Sequence, residues 1–352
     1  MVQGKWRMSK SIRRIEWPTL GLIILCYALW LSIGFLLYPL QPILSVILFP
    51  IIIAFHSSLQ HEVLHGHPTR SRVINELLVF VPIGLFIPYR RYRANHLRHH
   101  TDERLTDPYD DPESYYRALA DWQRLPRIFK SLLNWNNTFL GRLAIGPALT
   151  IIGFPLSEIA RVKLDPKIQK AWLLHAVGLA ICLAIVLFVF QIPFWLYFIS
   201  AYLGFSILKI RSFCEHRWFE RPEGRTIIVE KSILSMLFLN NNLHLVHHEL
   251  PSVAWYKLPA IYASKRNEWH ELNDHYVFKS YFDILRKYAF KFKEPVIHPA
   301  LRRPDVFHAA PSPSSAGYRG AASREARRDG CKSHEQPGRE ERRTSLRSGS
   351  SG

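Results

Sequence analysis

Three short clusters contain eight of the 17 histidines in this chain. Their members are His61, His65, His96, His99, His100, His244, His247 and His248. Histidines that are three or four residues apart lie on one face of a helix, so the imidazoles of a cluster can converge. Any single cluster is a weak sign, because histidines at helical spacing are common on protein surfaces. Three clusters, two of them with the pattern His-x-x-His-His, predict a metal centre.

Eight imidazoles are too many for one metal ion, since a zinc site takes three or four ligands. The set therefore predicts two metal ions, each bound by several imidazoles. Imidazole binds iron, copper, nickel and zinc alike, so the ligand type does not select the metal. His216 is a ninth candidate ligand because it closely follows the last apolar segment. On the residues alone, a surface histidine is an equally good interpretation of His216.

The first cluster has a second interpretation. Together with Glu62 it forms His61-Glu62-x-x-His65, the pattern of zinc proteases in which the glutamate is the general base. A membrane zinc metalloprotease is therefore an alternative, although it leaves the other two clusters unexplained. A metal transporter is a further alternative. It would need ionisable residues at mid-membrane depth, and the apolar segments contain almost none.

Long apolar segments place these clusters at a membrane. Residues 17–55 and 171–208 carry no charged side chain, and each segment is long enough for two crossings of about 20 residues. Prolines interrupt both segments, at Pro39 and Pro42 and at Pro193, and predict a turn in each. We therefore expect two helical hairpins, with crossings near residues 17–38, 43–59, 171–190 and 193–210.

Two shorter apolar stretches, 77–88 and 143–156, contain proline and glycine. Both are too short to cross a bilayer comfortably, and we expect them to lie in the interface or to dip into it. If 143–156 crossed the membrane, His61 and His244 would lie on opposite sides and could not share a site. The predicted fold is therefore an all-α membrane protein with four crossings and a cytoplasmic helical cap that carries the metal site.

Charge sets the expected orientation and excludes some functions. The formal net charge is +18, and the basic residues lie outside the two predicted turns. The positive-inside rule then places both termini and the histidine clusters in the cytoplasm. No basic recognition motif stands apart from the membrane segments, which argues against nucleic-acid binding. The four cysteines form no C-x-x-C pair, so neither a disulfide framework nor a thiolate metal site is predicted.

Composition divides the chain into two regions. Residues 1–308 contain all the apolar segments and histidine clusters and are expected to form one membrane-bound domain. Residues 309–352 are rich in Ser, Gly, Ala, Pro, Arg and Glu and contain few apolar residues. Such a composition cannot build a core, and we expect this tail to be disordered.

The order and flanks of the clusters resemble those of the membrane-bound fatty acid desaturase superfamily, which includes related hydroxylases and ketolases. An acidic segment with Asp107-Pro108 follows the second cluster, and Asn241-Asn242 precedes the third. The resemblance covers roughly residues 17–259, and the order of the three clusters is highly specific. It implies four transmembrane helices, a cytoplasmic cap and a metal centre with two irons.

The resemblance also implies chemistry and a ligand set. Two iron ions would cycle between Fe2+ and Fe3+, with molecular oxygen as co-substrate. His216 would join the eight clustered histidines as a ligand, and the carboxylates of Glu62, Asp107 and Glu215 are candidates to orient the imidazoles. The implied function is an oxygen-dependent desaturase that introduces a carbon–carbon double bond, with a lipid acyl chain as the favoured substrate. A bacterial cytoplasmic membrane is the expected location.

Alternatives remain within the superfamily. One is a hydroxylase or ketolase, and another is a desaturase of a small, amino-acid-derived metabolite of the rhizobitoxine type. The sequence has no Gly-rich dinucleotide fingerprint and no His-Pro-Gly-Gly signature of a fused cytochrome b5 module. We therefore expect an external electron donor, of the ferredoxin, rubredoxin or cytochrome b5 type, to dock on the basic cytoplasmic face.

Overall fold

The computed structural model describes residues 15–101 and 104–301, which are mostly helical. The helices are α1 (Trp17–Ser32), α2 (Pro42–Leu64), α3 (Arg72–Leu78), α4 (Tyr89–Thr101), α5 (Leu119–Arg124), α6 (Arg127–Asn136), α7 (Phe139–Val162), α8 (Pro166–Ala184), α9 (Phe194–Ser212), α10 (His244–Glu249), α11 (Leu258–Ser264), α12 (Arg266–Leu272) and α13 (Tyr281–Tyr288). Short π-helical segments extend α1 over Ile33–Leu37 and α8 over Ile185–Val189. Three 3-10 turns lie at Pro222–Arg225, Trp255–Lys257 and Pro299–Leu301. The strands β1 (Ile228–Val229) and β2 (Val277–Phe278) pair in parallel.

Among the described residues, four helices are long and apolar enough to cross a membrane. They are Trp17–Leu37, Pro42–Leu64, Phe139–Val162 and Pro166–Val189. Three of them overlap the predicted crossings at 17–38, 43–59 and 171–190. The prediction of a mostly helical chain with membrane-spanning segments is therefore confirmed. The basic N-terminus and the tail 309–352 lie outside the described residues.

The fourth candidate helix corrects one prediction. The stretch 143–156 does not form a short helix, because α7 continues in both directions, past Glu158, to a length of 24 residues. The predicted crossing at 193–210 does form a helix, the 19-residue α9. It is not among the four candidates, because Lys209 and Arg211 in its last turn lower its mean hydropathy.

Helix α7 packs against α9. The hydroxyl of Ser206 donates to Leu143 O over 2.6 Å, and Lys209 Nζ donates to Thr150 Oγ1 over 3.1 Å. Towards the other end of α7, the Glu158 carboxylate accepts from the Arg91 side chain of α4, with 2.9 Å between Oε1 and Nη2. Both ends of α7 thus contact elements that also carry or flank the histidines.

Helices α2 and α9 pack closely and run in the same direction. Phe49 contacts Tyr197 edge to face, with 5.5 Å between ring centroids. One turn further along α2, Ile53 meets Gly204, which lies two turns further along α9. A Cβ atom on Gly204 would lie 2.7 Å from Ile53 Cγ2 and 3.0 Å from Pro50 O, so only glycine allows this approach. Small residues serve this purpose in membrane helix pairs. The parallel packing brings the C-terminal ends of both helices to the histidines.

The stretch 77–88 packs into the apolar core formed by the long helices. Val79 and Ile83 in this stretch are fully buried. Trp30 Nε1 of α1 donates to the Tyr197 hydroxyl, which in turn donates to Ile83 O, both over 2.8 Å. Buried polar groups need such partners in an apolar environment. This chain of hydrogen bonds ties α1, α9 and the stretch 77–88 together.

Candidate metal centre

All nine candidate histidines come together in two adjacent groups. The first group is His61, His65, His96, His100 and His247, and the second is His99, His216, His244 and His248. Within each group, one ring nitrogen of every residue lies within 4.8 Å of those of the others. The groups touch each other, with 4.1 Å between the ring centroids of His100 and His248. The structure therefore collects every predicted ligand at one place and sorts the ligands into two sets.

Each His-x-x-His-His cluster contributes to both groups. On α4, the i, i+4 pair His96 and His100 belongs to the first group, and His99 belongs to the second. On α10, the i, i+4 pair His244 and His248 belongs to the second group, and the histidine between them to the first. Successive helical residues point about 100° apart, so one cluster can face two ions. This differs from the expectation that all three imidazoles of a cluster converge.

His216 reaches the second group from an extended segment beyond α9. It forms an antiparallel bridge with Thr226. Its Nε2 lies 3.0 Å from Nε2 of His99 and 3.1 Å from Nε2 of His244. The residue is buried, at 8% exposure. Its position among the other imidazoles favours the ligand interpretation over that of a surface histidine.

The spacing of the ring nitrogens fits metal ions. Nε2 atoms are 3.0 Å apart in the pair His96 and His100, and 3.1 Å apart in the pair His244 and His248. A neutral imidazole has one nitrogen with a free lone pair, and a cation between two such nitrogens can bind both. Metal–nitrogen bonds of about 2.0–2.1 Å put two ligand nitrogens of one ion about 3 Å apart.

Unpartnered buried nitrogens support the same conclusion. The Nε2 atoms of His61, His65 and His247 are buried and have no hydrogen-bond partner among the described residues. A buried polar atom without a partner is costly. Three such atoms in one group of five histidines indicate that the group binds a species that accepts nitrogen lone pairs. A metal ion supplies that partner, so the donor set fits metal binding.

Two carboxylates that the sequence analysis did not single out orient the imidazoles. Asp111 Oδ1 lies 2.8 Å from Nδ1 of His99, and Glu113 Oε1 lies 2.8 Å from Nδ1 of His96. These contacts keep the proton on Nδ1 and leave Nε2 free to bind a metal. Asp111 also accepts from the backbone N–H of Thr106 and of Glu113, which fixes the loop. In the sequence, the acidic character of this segment was the feature that could have indicated this role.

The three carboxylates that the sequence favoured have different surroundings. Glu215 is close to the centre, with Oε1 3.8 Å from His244 Nδ1, but its nearest partner is Arg211 Nε at 2.7 Å. Asp107 instead accepts from the backbone N–H of Tyr109 over 2.8 Å and so closes a local turn. Neither Asp107 nor Glu62 is within hydrogen-bond reach of the nine histidines in the described part of the chain.

Glu62 faces away from the metal centre. Its Oε1 accepts from the backbone N–H of Trp255 over 3.0 Å and lies 3.7 Å from His67 Nε2. His67 is itself held by Glu16, with 2.5 Å between Nδ1 and Oε2. A zinc protease needs this glutamate beside a metal-bound water. The orientation of Glu62 therefore argues against the protease alternative.

The surroundings of the second group favour the neutral form of its imidazoles, except at His99. Burial, together with the neighbouring imidazoles, holds the pKa of His216, His244 and His248 well below its usual range. Neutral imidazole is the form that binds metal ions. For His99, burial also lowers the pKa, but the carboxylates of Glu113 and Asp111 outweigh it and raise the pKa to about 9.

A cavity of about 410 Å³ adjoins the second group. Its wall includes His216 together with Glu113 and Glu215. Apolar side chains such as Leu149 and Phe205 form another part of the wall. The volume is within the range of about 300–1,000 Å³ that is usual for small-molecule sites. The metal centre thus borders a space in which a substrate can be held.

Comparison with known proteins points to the same centre. A family model described as fatty acid desaturase matches residues 33–280 of the chain, a range that includes all nine histidines. No curated protein matches the chain.

Proposed function

The chain belongs to the fatty acid desaturase family, and on this basis we propose that it is an oxygen-dependent membrane desaturase that introduces a carbon–carbon double bond into a lipid acyl chain. The observation that carries the proposal is the pair of adjacent histidine groups. Their facing Nε2 atoms, 3.0–3.1 Å apart, suit two metal ions.

Iron is the proposed metal in both groups. Two iron ions would supply the redox chemistry that activates oxygen and removes hydrogen from an unactivated carbon, which zinc cannot do. The first group would hold one ion with five histidines, and the second group would hold the other with four. Imidazole ligation is compatible with iron.

The chain's own residues prepare the ligands. Asp111 and Glu113 hold the Nδ1 protons of His99 and His96, and Asn241 Oδ1 lies 2.9 Å from His244 Nδ1. These contacts fix the tautomer and the ring orientation of each histidine. The carboxylates of Asp111 and Glu113 also place negative charge beside the centre. The neutral imidazoles would not offset the charge of the metal ions.

We propose that α1, α2, α8 and α9 cross the membrane and that α7 lies at the cytoplasmic interface. The contacts of α7 support this, because Leu143 near its start contacts α9, which leads to His216, and Glu158 near its end contacts α4, which carries three histidines. Four crossings keep all histidines on one side, whereas a crossing by α7 in addition would separate His61 from His244. Both termini would then be cytoplasmic, and the bacterial cytoplasmic membrane is the proposed location.

Electrons must come from another protein. Desaturation takes two hydrogens from the substrate, and reduction of one oxygen molecule to two waters requires two more electrons. A ferredoxin, a rubredoxin or a cytochrome of the b5 type would supply them. The basic character of the chain, with a net charge of +18, would favour the encounter with an acidic carrier.

The proposal is tested with iron-supplied membranes that contain the protein. We expect two iron ions per chain by metal mass spectrometry, and oxygen consumption coupled to the loss of two hydrogens from an acyl lipid. His99→Ala should lose iron and turnover. His275→Asn, at an exposed position with φ 53°, is the matched control and should keep both. One zinc ion and no iron, together with protein hydrolysis, would contradict the proposal.

A further inference from the structure

The cavity beside the second histidine group contains a buried arginine without an acidic partner. Arg142 lines this cavity and is only 6% exposed. Its Nε donates to Asn136 O over 2.7 Å, and its guanidinium carbon lies 4.6 Å from the centroid of the Tyr115 ring. Among the described residues it forms no ion pair. Its nearest contacts are therefore a carbonyl and aromatic rings.

A lysine in the same cavity is in a similar situation. Lys209 Nζ donates to Thr150 Oγ1 over 3.1 Å and lies 4.6 Å from the centroid of the Phe205 ring. In the described part of the chain it, too, has no carboxylate partner. Both acidic residues of the cavity wall are already engaged, Glu113 with His96 and Glu215 with Arg211. Neither Lys209 nor Arg142 therefore forms an ion pair among the described residues.

Two buried cations that lack an ion-pair partner favour the binding of an anion between them. Hydrogen bonds to a charged group are also about twice as strong as those between neutral groups. We propose that the substrate carries an anionic group, a carboxylate or a phosphate, that Lys209 and Arg142 bind inside this cavity. This inference rests on the proposed function, because it assigns the substrate of the same site.

The cations and the second histidine group share this cavity, because Arg142, Lys209 and His216 all line it. Arg142 lies over the ring of Tyr115, and the Tyr115 hydroxyl donates to the backbone carbonyl of His216 over 2.6 Å. A substrate anchored at the cations can therefore extend towards the second histidine group.

The remaining wall suits a short apolar segment. Leu149, Phe154 and Leu208 line the cavity around the cations. A smaller pocket of about 60 Å³ shares Phe205 and Leu208 with this cavity and extends towards Ile53. The apolar part of an anionic substrate can therefore lie against these side chains.

Binding measurements test the inference without relying on turnover. The full-length protein, in nanodiscs of neutral lipid, is titrated with hexanoate, hexyl phosphate and the neutral hexanamide. We expect at least one of the two anions to bind about tenfold or more tightly than the amide. Lys209→Met should remove this difference, Lys209→Arg should retain it, and the exposed Lys170→Met serves as the control. Equal affinity of the wild-type protein for both anions and the amide would overturn the inference.

A second arm distinguishes a small acid from a lipid headgroup. The same protein is exchanged into nanodiscs that contain phosphatidic acid, and retained lipid is counted by native mass spectrometry. Retention that depends on Lys209, without binding of hexanoate, identifies a phospholipid as the source of the anion. Iron content is measured in parallel. A protein that binds two irons but prefers the amide refutes this inference alone, and one that binds the anions without iron refutes the proposed function alone.

Discussion

The two histidine groups differ in how they are assembled, although α4 and α10 contribute histidines to both. The first group takes its members from α2, α4 and α10 at helical spacings that are visible in the sequence. The second group depends on His216, which belongs to no cluster, and on a carboxylate that contacts His99 from a loop. Only the second group borders the cavity, through His216. Helical spacing therefore identifies every histidine of the first group in the sequence, whereas the second group includes His216, which lies outside the clusters. In each group a carboxylate from the loop after α4 also contacts one histidine, Asp111 at His99 and Glu113 at His96.

Removal of one ligand from each group should have the largest effect. His65→Ala and His216→Ala should each lower iron content by one ion per chain and turnover by about a hundredfold or more, since even residues that only orient ligands contribute 10–100-fold. Metal mass spectrometry and product analysis measure both. Unchanged iron content and turnover in His216→Ala would remove this residue from the ligand set and leave the second group with three histidines.

Asp111→Asn should have the next largest effect, and on the second group alone. The amide loses the negative charge beside His99 and can present its N–H₂ group to the ring instead of an acceptor. We expect iron affinity at that group to fall by about 10–100-fold. Asp107→Asn is the matched control in the same loop and should leave iron affinity unchanged. If Asp107→Asn had the larger effect, the contact described for Asp111 would be wrong.

Gly204→Ala tests the helix pair that joins the two groups. The new Cβ would lie 2.7 Å from Ile53 Cγ2, and overpacking of this kind typically costs about 1–3 kcal/mol. We expect a lower thermal midpoint of unfolding and similar losses of iron from both groups. Gly21→Ala has nothing within 4 Å of its Cβ and should not lower the midpoint. Loss of iron from one group only would show that the groups are not coupled through α2 and α9.

Glu62→Gln should have the smallest effect. The amide oxygen can still accept from the backbone N–H of Trp255, and the side chain does not face the metal centre. Turnover should therefore change by only a few-fold. In a zinc protease the same substitution removes the general base and abolishes activity. A complete loss of activity with intact iron content would be incompatible with the position of Glu62 described above.

Much of the architecture follows from local sequence patterns. The length of the apolar segments predicted α1, α2 and α8. The i, i+4 spacing predicted that His61 and His65 share a helix face. The order of the three histidine clusters predicted the metal centre itself. These features are local, because helical periodicity and segment length depend on neighbouring residues only. The expected length of the helix at 143–156 was too short, because α7 begins at Phe139 and continues through Glu158 to Val162. Composition does not reveal where such a helix stops.

The sequence alone therefore determined which histidines are available and which segments are apolar enough for a membrane. The tertiary structure decided how each His-x-x-His-His cluster is divided between two groups and that His216 completes the second. It also selected Asp111 over Asp107 as the partner of His99. The physical reason is that a carboxylate or an imidazole binds whatever the chain brings within about 3 Å. That distance is set by loops and helix crossings between residues far apart in sequence.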